Sequence, residues 1–215
     1  MPEQTGFEIA RAKMVDSQVR PNLVSDARVI AAMRSLPREA FTPQAGLAYA
    51  DADVSLGGGR YLLKPMVTAR LAQLALAGPG EHILVIGAGA GYLAAVLAAS
   101  GAQVVALEED SRLRLTAPAP GVEDVTGKLA AGWPAAGPYD VIVIEGAVPA
   151  IPATLAAQLA PGGLVVAIIS ADGEDGGLGR AVTARAVAGG YAVTPVFDCT
   201  ARPLPQLAPA PEFVF

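Results

Sequence analysis

Gly87, Gly89 and Gly91 recur at alternate positions in the stretch HILVIGAGAGYLAAVLAAS, residues 82–100. Glycine admits positive φ and lets a ligand approach the backbone closely. The helix that follows offers unpaired N–H groups at its start. Strand, glycine turn and helix in that order make a seat for a nucleotide-like ligand beyond the carboxyl end of the strand. A second strand, AQVVALEED, ends at Glu108, 17 positions after Gly91. A carboxylate there can accept hydrogen bonds from both hydroxyls of a ribose, each charge-assisted and worth about 1.5–3 kcal/mol. The dinucleotide pattern G-x-G-x-x-G/A fails at its sixth position, Tyr92, which is too bulky for close helix–strand packing. Glu109 and Asp110 read as a solvated helix start.

The elements around this turn have to hold it in place. HILVIG is a short unbroken apolar run, as expected of a parallel strand covered on both faces. YLAAVLAAS is the helix, stopped by Gly101. YDVIVIEG and LVVAIIS are further strands, and PATLAAQLAPGG between them reads as a helix. RAVTARAV and YAVTPVFDC suit a closing antiparallel pair. Strands alternating with helices predict a doubly wound, mostly parallel sheet. Upstream, residues 1–60 read as helical and irregular. Ser25 is the expected N-cap of SDARVIAAMRSL. SLGGGRYLLKP reads as a glycine-rich loop, and Pro65 opens a helix with Val67, Leu71 and Leu74 on one face. ADGEDGGLG reads as a flexible loop, and the proline-rich end as irregular.

Hydrophobic residues make up 53% of the 215 positions and charged ones 16%, enough for a sizeable core. The net charge of −5 argues against a nucleic-acid partner, which needs a basic face. No apolar window is long enough for a membrane span. The start, MPEQTGFEIARAK, lacks the apolar run of a signal peptide. One cysteine excludes an internal disulfide and fits a reducing, cytoplasmic compartment. No metal site is expected. His82 reads as a surface residue and Cys199 as a packed core thiol.

The G-x-G-x-G spacing resembles the first motif of S-adenosylmethionine-dependent methyltransferases. The segment PYDVIVIEGAVPAIPATLAAQLAPGG, residues 138–163, resembles the protein-L-isoaspartate O-methyltransferases, as do VIAAMRSLPREAFTP and AYADADVSLGGGRYLLKP upstream. The C-terminal PEFVF looks like the ending of a bacterial branch. The resemblance spans about residues 15–170. It implies a Rossmann-like, seven-stranded α/β fold of the class I methyltransferase type. Residues 1–80 would form a helical extension carrying the substrate loop. Residues 81–215 would bind S-adenosylmethionine through Gly87, Gly89, Gly91, Glu108, Lys128 and Leu129. The implied reaction is methyl transfer to a carboxylate of a protein or peptide. A carboxylate is ionised at neutral pH and needs no general base, so catalysis is largely positioning.

Three positions depart from the family pattern. Leu63 stands where the family has a serine thought to act on the substrate, and leucine offers no hydroxyl. Val85 stands where an acid usually precedes the glycines. Lys128 reverses the charge of an aspartate by the adenine, although Leu129 can still cover an adenine face and Trp133 can pack nearby. These departures keep open a relative that binds the cofactor, or nothing, and acts as a sensor or partner. A nicotinamide oxidoreductase is disfavoured by Tyr92 and by the segment 138–163. Tyr61 and Lys64 flank the lost serine, in a loop able to close over the site. Lys64 can attract a substrate carboxylate as a point charge. The methyl acceptor and the oligomeric state stay open.

Overall fold

The computed structural model describes residues 6–76, 80–114, 118–170 and 177–207. Its centre is a seven-stranded sheet: β3 (His82–Ile86), β4 (Gln103–Glu108), β5 (Val122–Thr126), β6 (Tyr139–Val148), β7 (Leu159–Ile169), β8 (Leu178–Val187) and β9 (Gly190–Thr200). The spatial order is β5-β4-β3-β6-β7-β8-β9. The first five in that order are parallel neighbours, and β8 and β9 close the sheet antiparallel. The unbroken apolar runs have a direct cause. On β6, Val141 and Val143 join one hydrophobic cluster while Ile142 and Ile144 join the other. Both faces of the central strands are covered, so alternation has no solvent face to mark.

One cluster lies beneath the helices α1 (Gly6–Met14), α2 (Ala27–Ser35), α3 (Pro65–Ala75) and α4 (Tyr92–Ala99). Val67 and Leu71 of α3 are wholly buried in it, each stabilising the fold by about 1.5–3 kcal/mol. The same cluster holds Met14, Met33, Leu93 and Cys199. The N-terminal segment and the sheet thus share one core.

Several expectations are corrected. Asp26, not Ser25, caps α2, its side chain accepting from Arg28 N–H. Ser25 instead donates its backbone N–H to Gln73. The stretch read as a helix after Pro152 is a 3-10 segment, Ala153–Gln158, and β7 begins at Leu159. The glycine-rich stretch is a hairpin, β1 (Val54–Gly57) with β2 (Arg60–Leu62). Strand β5 went unread because it is a half-exposed edge whose VEDVT carries two acids. His82 is half-buried, its ring 4.8 Å from that of Tyr139. Pro65 opens α3 at its first turn and Cys199 is buried, both as expected. Most of ADGEDGGLG and the end PEFVF lie outside the described residues. Among those residues no helix is long and apolar enough to cross a membrane, and no group of three or more His, Cys, Asp or Glu could hold a metal.

Candidate cofactor and substrate site

The turn after β3 has the backbone its glycines predict. Gly87, Gly89 and Gly91 adopt φ of 74°, 53° and 89°, a region costly for other residues. Gly87 and Ala88 donate N–H groups to Leu107 O at 2.9 and 3.1 Å, which ties the turn to the end of β4. Gly91 sits at the N-cap of α4. Tyr92 does not obstruct helix packing. It is wholly buried beside Phe41, with the Arg38 guanidinium 4.7 Å from its ring centroid.

Glu108 closes the seat from β4 and is 1% exposed. It accepts from Gly89 N–H at 2.8 Å, from Glu109 N–H at 2.9 Å and from Asp110 N–H at 3.4 Å. Its side-chain partner comes from the hairpin: Arg60 Nη2 donates at 3.0 Å. The same nitrogen donates to Gly87 O. Arg60 is 3% exposed, and burial pulls its guanidinium pKa down against the raising influence of Glu108. A Cβ placed on Gly87 would lie 2.9 Å from both Arg60 Nη2 and the Leu204 side chain. The cradle is therefore built, and this chain's own arginine reaches into it. Its N–H groups stand in for the hydroxyl donors a ribose would bring. Removing one partner of a buried pair outright costs about 3–5 kcal/mol. A ribose arriving as Arg60 leaves keeps Glu108 satisfied, so the residues fit a nucleoside cofactor on condition that Arg60 moves.

Glu145 is a second buried acid beside the turn. Ile86 pairs with Ile144 across β3 and β6, so Glu145 stands beside Gly87. It is 5% exposed, and its Oε2 has no hydrogen-bond partner. Burial pushes its pKa up to about 8, against the lowering influence of Arg60, Arg114 and Arg38. Neither Arg60 nor Glu145 was singled out in the sequence. For Glu145 a signal existed: one acid interrupts the apolar run of β6, VIVIEGAV.

Of the remaining expected site residues, Leu63 and Leu129 are buried, while Tyr61, Lys64 and Lys128 are half-buried or exposed. Leu63 is buried in the core cluster, and only its carbonyl does polar work, accepting from Arg38 Nη2 at 2.5 Å and Thr68 Oγ1 at 3.2 Å. Val85 is core, as its neighbours imply. Lys64 Nζ donates to Thr200 at 2.5 Å, and its backbone N–H donates to Asp53 at 2.7 Å. Tyr61 is half-buried under the Arg202 guanidinium, 5.0 Å from the ring centroid. Lys128 is exposed, 3.9 Å from Glu109. Leu129 is wholly buried. Glu109 is not merely solvated, because it accepts from Leu129 N–H at 3.0 Å. Asp110 caps a short 3-10 turn through Arg112 N–H. Trp133 packs over Gly127.

A family profile described as Protein-L-isoaspartate(D-aspartate) O-methyltransferase matches residues 10–180. A protein-L-isoaspartate O-methyltransferase of Methylorubrum extorquens is 42% identical over 165 residues, 73% of this chain and 72% of that one. One of Koribacter versatilis is 36% identical over 177 residues, 77% of this chain and 78% of that one. Among solved structures, a protein-L-isoaspartate O-methyltransferase superposes with a TM-score of 0.73 at 24% identity, covering 92% of this chain and 67% of the other. A Plasmodium falciparum protein of that type, in complex with S-adenosyl-L-homocysteine, gives 0.72 at 17% identity, covering 94% and 99%. At these identities the two structures speak for the fold.

Proposed function

The chain belongs to the protein-L-isoaspartate O-methyltransferase family, and we propose that it transfers a methyl group from S-adenosylmethionine to the side-chain carboxylate of isoaspartyl residues in peptides or proteins. The observation that carries the reading is the glycine cradle with a buried carboxylate, Glu108, bonded to its central N–H. When bound, the cofactor supplies an activated methyl on a sulfonium, and transfer leaves a neutral thioether and a methyl ester. The rest is done by this chain. Gly87, Gly89 and Gly91 let the ligand approach the backbone. Glu108 takes the ribose hydroxyls once Arg60 withdraws. Trp133, half-buried, gives apolar surface at the adenine end with Leu129 in the core behind it, while the exposed Lys128 stays in solvent.

The acceptor carboxylate brings its own charge, so no proton has to be removed before attack. That agrees with a site built without a His/Asp or Cys/His pair. Orientation of the acceptor falls to the rim of the loop, because Leu63 is turned into the core. Lys64 and Tyr61 are the candidates, Lys64 as a point charge. We place acceptor recognition in residues 1–80 and cofactor binding in 81–215, with Arg60 crossing between them, and the protein in the cytoplasm.

The test is a labelled-methyl assay with an isoaspartyl peptide and the matching aspartyl peptide. Label in a base-labile ester on the isoaspartyl peptide alone is the expected result. Cofactor binding without transfer to either peptide would point to a sensor and overturn the catalytic reading.

A further inference from the structure

Glu145 has no use in the reaction as described, yet it is a buried carboxylate beside the glycine turn with an unpartnered oxygen. An unsatisfied buried acceptor is destabilising, and such groups call for an explanation. Its surroundings are charged on several sides. Arg60 of β2, Arg38 of the 3-10 turn Arg38–Phe41, Arg114 beyond β4 and Glu108 of β4 all act on it electrostatically. Among the described residues no cation completes it. Arg60 gives its ion pair to Glu108 at 3.0 Å and leaves Nε unpartnered. Arg114 pairs with Asp124 at 3.1 Å and donates to Gly89 O at 2.7 Å. Arg38 donates to Ala48 O at 2.7 Å and to Leu63 O. The acid expected two residues before Gly87 is absent, and Val85 is wholly buried.

Resting on the cofactor reading above, we propose that Glu145 is a cofactor-binding residue, its carboxylate taking the α-ammonium of the methionyl end in place of the acid missing at Val85. The position agrees with this, since β6 brings Glu145 level with Gly87 on one side of β3 while Glu108 marks the ribose end on β4, at the other side. The proton balance is simple. Glu145, its pKa raised to about 8 by burial, is largely neutral at pH 7. It loses a proton to solvent as the ammonium arrives. Affinity for a ligand with an ammonium therefore rises with pH through about 8.

The experiment compares S-adenosylhomocysteine with 5′-methylthioadenosine, which lacks the amino-acid end, by calorimetry on wild type and Glu145→Gln. Wild type should prefer S-adenosylhomocysteine by about tenfold or more, or about 1.4 kcal/mol. Glu145→Gln should lose most of that preference while holding methylthioadenosine as before, which also shows the variant folded. Wild type alone gives a second reading: the preference should grow between about pH 6.5 and 8.5, with a proton released on binding. An equal loss for both ligands would place Glu145 behind the nucleoside end, as an alternative dock for Arg60, and overturn the assignment. So would unchanged binding of both by Glu145→Gln, or a preference flat with pH. If wild type bound neither ligand, the cofactor reading itself would fall.

Discussion

Glu108, at the end of β4, is bonded by three backbone N–H groups and one guanidinium. The loop that reaches it, Arg60 to Lys64, is anchored differently: Leu63 is sunk in the core and Lys64 is tied to Thr200. The first region is a rigid seat made mostly of backbone. The second is a hairpin whose polar hold on that seat runs through Arg60, while the Leu56 side chain lies over Gly89. The seat can keep its geometry while residues of the loop change, because φ angles and N–H groups do not depend on the loop's chemistry. The contrast teaches that the glycine seat and the hairpin can diverge independently, with Arg60 as their polar point of contact.

The largest effect should come from breaking the seat. Glu108→Ala removes the acceptor for Gly89 N–H and strands Arg60 in the core. Loss of about 3–5 kcal/mol in chemical denaturation is expected, together with cofactor binding too weak to detect by calorimetry. Next comes the loop. Leu63→Ser restores a hydroxyl in sequence, but the side chain faces the core. A destabilisation of about 2–5 kcal/mol should follow, with no gain in methyl transfer. A clear gain in kcat would show that this position still faces the acceptor.

Glu145→Gln sharpens the comparison through pH. Its carboxyl pKa is raised from 4.5 to about 8 in the folded chain, so the folded state holds a proton that the unfolded state releases. Stability is then fully present below about pH 4.5 and is lost as pH rises through about 8. The variant should be more stable than wild type by about 1–3 kcal/mol near pH 8.5, and the gain should shrink toward pH 5. A gain independent of pH would contradict the buried acid. The smallest effect is expected for Lys64→Ala. Its single side-chain bond to Thr200 is worth less than about 1 kcal/mol, so Tm should barely move, while KM for an isoaspartyl peptide rises severalfold with kcat kept.

The cradle was legible in the sequence because its signals are local. Alternate glycines need positive φ, HILVI needs two covered faces, and Glu108 falls at a strand end. Arg60 was not legible, since its partner lies 48 residues away and no spacing rule reports how far an arginine reaches. Glu145 was visible as a charge in VIVIEG, yet in a strand buried on both sides no period says which face it takes. Leu63 could be read as a lost hydroxyl, but not as a core residue. The 3-10 segment Ala153–Gln158 was misread as a helix because its apolar spacing suits both, while the nearby prolines and the early start of β7 leave it short.

The central claim is that Arg60 and the cofactor's ribose compete for Glu108. Calorimetric titration of wild type and Arg60→Gln with S-adenosylmethionine tests it directly. The account expects micromolar binding by wild type, about −8 kcal/mol, and affinity at least several-fold tighter in the variant. Weaker binding by Arg60→Gln would contradict it, making Arg60 a part of the cofactor site, not its competitor.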